Sequence, residues 1–332
     1  MPTAENAKLQ YEAGQTSYAM SALSDSGDNT TFTGSASFWS RRSGYAPVVR
    51  PNGLITGGEV TPAASGTNNM VDVAAGTAYI NGALVTFSAD TDVEITRATS
   101  TDTHMINSIT VTSAGAVAAV TGTDHASAFS ETRAADGGPP LIATTSIEIA
   151  QVRTTSFTAA AITAAEIFSV VGTHTERYDY PLWEVNYGDG STNAGVTFTD
   201  ALPDIHTGTV PKGVYASYAD PIFANVQKSV DFVPPENSHT VNSTQIYGQT
   251  LGSTSTSLNQ GSFTAYLEDG VDDALVSLKD EFLWFRFYPD RTQSPYILCH
   301  GKLGVTRSFP AGDSISAACT INAEEIGSEV SA

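Results

Sequence analysis

Cys299 and His300 stand side by side in the chain, and a thiol next to an imidazole is the pairing by which cysteine nucleophiles are activated. The residues around them alternate, with Ile297, Cys299, Leu303 and Val305 sharing one parity, and neighbours on a strand leave from opposite faces. The pair is therefore expected to be split, Cys299 toward a core and His300 away from it. The remaining histidines are His104, His125, His174, His206 and His239, and none has zinc-ligand spacing to another His, Cys or carboxylate; His174-Thr-Glu176 alone is too short a pattern. Tyr187-Gly-Asp-Gly-Ser-Thr192 has the look of a calcium loop but lacks the alternating ligands and the terminal Glu, so it reads as a turn. Leu251-Gly-Ser-Thr-Ser-Thr-Ser257 is polar low complexity without the lysine of a phosphate loop, and no Gly-x-Ser-x-Gly elbow or dinucleotide glycine pattern occurs. The carboxylate pairs Asp272-Asp273 and Glu324-Glu325 read as solvated faces. The expectation is a protein that is not an enzyme, with no catalytic residue, no cofactor and no metal.

Composition points the same way. The chain has 332 residues and a formal charge of -20, from 35 acidic and 15 basic side chains. Such a chain repels phosphate, which argues against a sequence-reading nucleic-acid binder. On the wall of a channel, the same field would keep DNA from adhering as it passes. The first residues lack the basic-then-apolar pattern of a secretory signal, and no apolar run approaches the roughly 18 residues of a membrane helix. Two cysteines, Cys299 and Cys319, are too few to staple a chain of this size, so synthesis and folding in a reducing cytoplasm are expected.

The elements that must carry these residues are short and alternating, which predicts an all-β fold. A short strand is expected at Lys8-Leu9-Gln10-Tyr11-Glu12, and Pro47, Pro51, Asn52 and Gly53 mark a boundary. Between residues 46 and 170 a small β domain is expected, with strands at 71–73, 77–80, 84–87, 93–96, 106–112, 116–120 and 147–152. Asn81-Gly82 is its two-residue hairpin turn, and Thr163-Ala-Ala-Glu166 a capping box opening one helical turn. Residues 187–213 read as a long hairpin or extended loop. Further on, Phe232-Val-Pro-Pro-Glu236 is a rigid extended loop. Val271, Leu275 and Leu278 predict one helix over 269–280, with acidic residues at its start and Lys279 in its last turn. Phe282–Tyr288, apolar on both faces, predicts a central strand or a subunit contact. Strands at 296–306 and 313–322 should pair with their apolar faces together, bringing Cys299 near Cys319, as two small buried thiols or at disulfide distance.

The C-terminal half carries a resemblance in longer phrases. Val214-Tyr-Ala-Ser-Tyr-Ala-Asp-Pro-Ile-Phe223 is followed by Asp231-Phe-Val-Pro-Pro-Glu236 and Gln260-Gly-Ser-Phe-Thr-Ala-Tyr266. Then come Phe282-Leu-Trp-Phe-Arg-Phe-Tyr288 and the run from Pro295 to Asp313. In this order they resemble the tail tube (major tail) proteins of siphophages, and are similar to those of Chi-like, flagellum-seeking phages. The resemblance covers roughly residues 172–332, with 1–45 completing the same domain. It implies a β-sandwich with one flanking helix in residues 1–45 and 171–332, six copies of which join sheets into a β-barrel ring. It also implies that rings stack into a hollow tube in the virion tail, conducting DNA without binding it specifically. The implied partners are further copies of the chain and the tape measure, terminator and distal tail proteins, with no membrane partner and with host cytoplasm as the place of synthesis.

The family has no catalytic residues to transfer. The insert at 46–170 departs from its pattern and would project outward as a decoration. Its segments Pro51-Asn-Gly-Leu-Ile-Thr-Gly-Gly58 and Asp72-Val-Ala-Ala-Gly-Thr-Ala-Tyr79 are similar to small β modules of phage tail and baseplate proteins. Under this reading Phe198, Phe232, Pro234 and Pro235 are expected among the contact loops, and Asp272 and Glu324 among the acidic residues of the lumen. Two other readings stand beside it. One is a receptor-binding or fibre-like tail adhesion protein working through the 46–170 module. The other is a tailspike-type carbohydrate hydrolase, weakened by the absence of a parallel β-helix repeat.

Overall fold

A computed structural model describes residues 6–169, 182–207 and 213–331. His174, Glu176, Tyr178 and Tyr180 lie outside the described residues. The fold is all-β.

Its largest element is a nine-stranded antiparallel sheet. From one edge the order is Ser229–Val233, Gly261–Tyr266, Ser316–Ala323, Tyr296–Ser308, Phe282–Tyr288, Lys8–Ala22, Val214–Asn225 and Val48–Pro51, and Ser328–Val330 also pairs with Tyr296–Ser308. Strict alternation in Ser316–Ala323 buries Ala317, Cys319, Ile321 and Ala323 on one face. The sheet is strongly curled. Phe232 and Phe287 stack with ring centroids 4.4 Å apart, although their strands are four places apart in the order. Laid flat, four strand spacings would separate them by about 19 Å. The core inside the curl holds Leu9, Phe263, Leu283, Phe285, Leu303 and Ile321, with Leu275 and Leu278 closing one side.

Phe282–Tyr288 is central, as its pattern predicts. Leu283 and Phe285 enter this core, while Trp284, from the other face, packs with Phe38, Leu298 and Val330. A second, four-stranded sheet (Trp183–Asn186, Gly195–Phe198, Thr31–Thr33, Ser24–Asp25) supplies Phe32, Val196 and Phe198 to a core shared with Trp39, Val214, Ala216 and Tyr218.

Residues 53–169 form three smaller sheets around a core of their own, including Leu54, Val71, Ile80, Phe87, Ile109, Ile147 and Ile149. The Asn81-Gly82 turn forms as expected between Gly76–Ile80 and Ala83–Phe87, with both residues at positive φ (54° and 73°). The capping box is present at a single 3-10 turn, Ala164–Glu166, where Thr163 N donates to Glu166 Oε2 at 2.8 Å. Glu148, fully buried in this body, is held by Arg133, Ser108 and Gln151.

Several sequence expectations change. Val48–Pro51 pairs with Val214–Asn225, so the inserted body begins after Pro51 rather than at 46. The first strand runs Lys8–Ala22, far beyond Glu12. Its polar second half is held as strand by register with Val214–Asn225 from Gln10↔Asn225 to Ala22↔Tyr215. The helix shrinks to Ala274–Ser277. The acids before it fold a turn instead of charging a helix end: Asp269 Oδ1 accepts from the N–H groups of Val271 and Asp272, and Asp273 accepts from Glu268 and Gly270. Val271 is left exposed.

The cysteines do not meet. Cys319 stands opposite Val305 and Cys299 opposite Phe285, so six residues, about 20 Å, separate their positions along the strand. A disulfide needs Cα atoms within about 7 Å. Both are buried free thiols whose pKa burial pushes up to about 12.

Candidate assembly surfaces

Strands Asn237–Ile246 and Gln249–Leu258 form a ribbon paired in unbroken register from Asn237↔Leu258 to Ile246↔Gln249. Tyr247-Gly248 make its turn, with Gly248 at φ 86°. Apart from the half-buried Ser238 and Leu258 at its root, every residue of these strands is exposed. A two-stranded hairpin without a core is marginal in water, so this ribbon lacks within one copy the packing that would make it secure. Across residues 237–260 there is no Asp, Glu, Lys or Arg, in a chain of charge -20. Charged side chains and prolines are what keep exposed edges from pairing with other chains, and both are missing here. The polar low-complexity run Leu251–Ser257 is only part of one of its two strands. The signal available was the contrast between its neutrality and the acidity of everything around it.

The ribbon springs from the Pro234-Pro235-Glu236 link. Asn259 N donates to Glu236 O at 2.9 Å, closing the root, and Gly327 N donates to Pro235 O at 2.8 Å, pinning it to the body. Of the residues expected at contacts, Pro235 is buried, and Pro234 and Phe232 are half-buried, Phe232 against Phe287. Phe198 is placed differently: it is 3% exposed on a strand, edge-to-face with Phe32, and belongs to the core. The exposed apolar side chains of the outer strand are instead Val230 and Val233. At the opposite edge of the sheet Val48 is exposed, after Pro47.

Asp272 is exposed beside the short helix, and exposed Glu324 pairs with Arg41 at 2.9 Å. Glu324, Glu325 and Ile326 belong to the loop by which the chain passes from Ser316–Ala323 to Ser328–Val330, both paired to Tyr296–Ser308. This loop borders a cleft of about 190 Å³ whose other walls include Arg41, Tyr187, Trp284 and His300.

His300 and Cys299 are split between faces as expected, Cys299 in the core within the curl and His300 in the cleft. The imidazole lies parallel to Phe282 (5.6 Å, 12°) and against Trp284. Arg41 Nη1 lies 3.5 Å from His300 Nδ1. A guanidinium only donates, so the imidazole proton sits on Nε2, which is buried with no hydrogen-bond partner. Burial, with Arg41 beside it, drives the His300 pKa down to about 3 and keeps the ring neutral. Asp189, on the cleft wall, is partly desolvated, but N–H groups of Thr192 and Ser191 and their hydroxyls hold its carboxyl below the usual range. That arrangement is the turn expected at 187–192.

No family model, curated protein or solved structure matches the chain. Among the described residues no group of three His, Cys, Asp or Glu is placed to hold a metal ion, and no helix is long and apolar enough to cross a membrane.

Proposed function

We propose that the chain is a structural subunit that polymerises with itself, the repeated protein of a long-tailed phage tail tube. The observation that carries this reading is the uncharged, fully paired ribbon 237–258, whose residues beyond the root are all exposed, with no packing partner among the described residues of their own copy. Two further features support it. The nine-stranded sheet ends in two open edges bearing exposed Val230, Val233 and Val48, and edge-to-edge joining of copies would remove both. The curled sheet with its short helix is also compatible with the sandwich-type subunit that the C-terminal phrases resemble.

In this reading six copies close a ring and rings stack into a hollow tube in the virion tail, with tape measure, terminator and distal tail proteins as neighbours. DNA passes without being bound, because surplus carboxylates, Asp272 and Glu324 among the candidates, repel its phosphates. The chain performs no chemistry, and residues 53–169 decorate the outside.

Electron microscopy of the purified chain over a concentration series tests the reading. Six-fold rings or tubes are expected, and replacing residues 238–257 by a short Gly-Ser turn should leave a folded monomer. A wild-type chain that stays monomeric at high concentration, and is missing from a virion's shaft, would sink the proposal. Isolated trimers would favour the adhesion reading instead.

A further inference from the structure

We propose that the open half of the first strand, Gly14–Ala22, is the edge on which a second copy lays its ribbon 237–258 as an added strand; this rests on the self-assembly reading above. Pairing of Lys8–Ala22 with Phe282–Tyr288 covers only Lys8–Tyr11, while pairing with Val214–Asn225 runs on to Ala22. The register shift between Glu12 and Gly14 marks the parting, a bulge that bends the strand away from its former neighbour. Among the described residues no strand lies on the vacated side. Thr16–Ala19, Ser21 and Ala22 are all exposed, although strands flank Lys8–Ala22 on both sides at its start.

The backbone groups that turn to this side can be named. Val214 O accepts from Leu23 N, next to the first strand, and Ala219 O accepts from Ser40 N on the opposite side. Backbone groups alternate sides along a strand, so Ala216 and Tyr218 turn toward the first strand, and Ala219 and Pro221 away from it. Pro221, which has no N–H, loses nothing by that placing. Ser17 and Gln15 stand opposite Ala219 and Pro221, and therefore turn their own N–H and C=O groups to the vacated side. Water serves these groups in a single copy, and an incoming strand serves them in an assembly.

The ribbon is the matching strand. Residues 13–24 contain no Asp, Glu, Lys, Arg or Pro, and neither do residues 237–260, so in a chain of charge -20 two neutral edges meet without repulsion. The outer strands of the large sheet carry devices that shorten a backbone joint. Val48–Pro51 follows Pro47 and contains Arg50, and Ser229–Val233 contains Asp231 at φ 57° and runs into Pro234. Each ribbon strand is 10 residues long, enough to span the whole open half. The ribbon of the same copy does not fill the edge, because beyond its root it is exposed throughout. The contact is made between copies and is heterologous, ribbon to edge, so it repeats around a ring or along a stack.

Two variants of the chain test this. Ser17→Pro removes an outward N–H that the fold of one copy does not use, so melting should match the wild type while the concentration at which assembly begins rises about 10-fold or more. The second variant carries the Gly-Ser turn in place of residues 238–257. Each alone should sediment as a monomer at the concentration where the wild type assembles. Their equimolar mixture should give dimers, the intact edge of one accepting the ribbon of the other. A mixture that stays monomeric would overturn the contact, as would Ser17→Pro assembling like the wild type. Amide exchange in the native chain gives a check free of substitutions: on assembly the Gln15 and Ser17 amides should slow about 10-fold or more, and those of Thr16 and Tyr18, already paired with Asp220 and Tyr218, should change least. Six-fold tubes in which Gln15 and Ser17 exchange as fast as in the monomer would overturn this contact while leaving the tube reading intact; a wild-type chain that never assembles would overturn both.

Discussion

Phe232, on the outermost strand of the large sheet, lies face to face with Phe287 four strands further in, with centroids 4.4 Å apart and planes 17° from parallel. This contact reports the curl that closes the main core. It also leaves the outward-facing Val230 and Val233 as the apolar side chains of that edge.

Phe232→Ala should therefore cost about 2 kcal/mol of stability, from lost apolar burial and lost ring stacking at a half-buried site. Phe232→Leu should recover more than half of it. Denaturant unfolding of both variants checks this, and an alanine variant within 0.5 kcal/mol of wild type would contradict the closing role.

Glu12 is fully buried, and its carboxylate accepts from Gln15 Nε2 at 2.8 Å, from Trp284 N at 3.2 Å and from Ser40 Oγ. Pairing of Lys8–Ala22 with Phe282–Tyr288 ends at Tyr11↔Phe285, so this side chain takes over the ladder at Trp284. Glu12→Ala should cost about 3 kcal/mol by orphaning these donors. Burial raises the Glu12 pKa despite the hydrogen bonds and Arg42. The raised value means that the protonated form is favoured in the fold. The resulting stability is complete below the unfolded value near 4.5 and is lost as pH rises through the folded one. Relative to Glu12→Gln, the wild type should thus gain stability on acidification across that window. A stability difference flat with pH would contradict it.

His300 has the opposite dependence for the opposite reason. Its pKa is lowered from 6.5 to about 3, so its contribution is present above 6.5 and is lost as pH falls toward 3. Melting temperature measured across that interval should fall more steeply for wild type than for His300→Gln. One group can supply at most about 1.4 kcal/mol per pH unit. Parallel curves would mean that the imidazole is not held neutral by its surroundings.

The thiols should be inert in the folded protein. Neither Cys299 nor Cys319 should react with a thiol reagent until the chain unfolds, because both are buried and their pKa values near 12 leave almost no thiolate. Two thiols should then titrate together. Loss of two hydrogens in intact mass under mild oxidation would contradict the strand register.

By itself the sequence determined what depends on neighbours in the chain. Alternation marked most of the strands, Asn81-Gly82 its hairpin, Thr163–Glu166 its capping box, and the parity of Cys299 and His300 their separation onto two faces. Each follows from local sterics and a period of two. Only the tertiary structure decided what depends on register and on distant partners. The polar half of Lys8–Ala22 is strand because Val214–Asn225 lies beside it, and Cys299 misses Cys319 by six residues because pairing is set by the β-hairpin turn rather than by which faces are apolar. Phe198 went into a core because its four-stranded sheet packs against Val214, Ala216 and Tyr218 of the large sheet. The cleft joins Arg41 to His300 across 259 positions, which no local pattern encodes. The hairpin 237–258 was hidden for the converse reason: beyond its root its residues are all exposed, so no apolar period announced it.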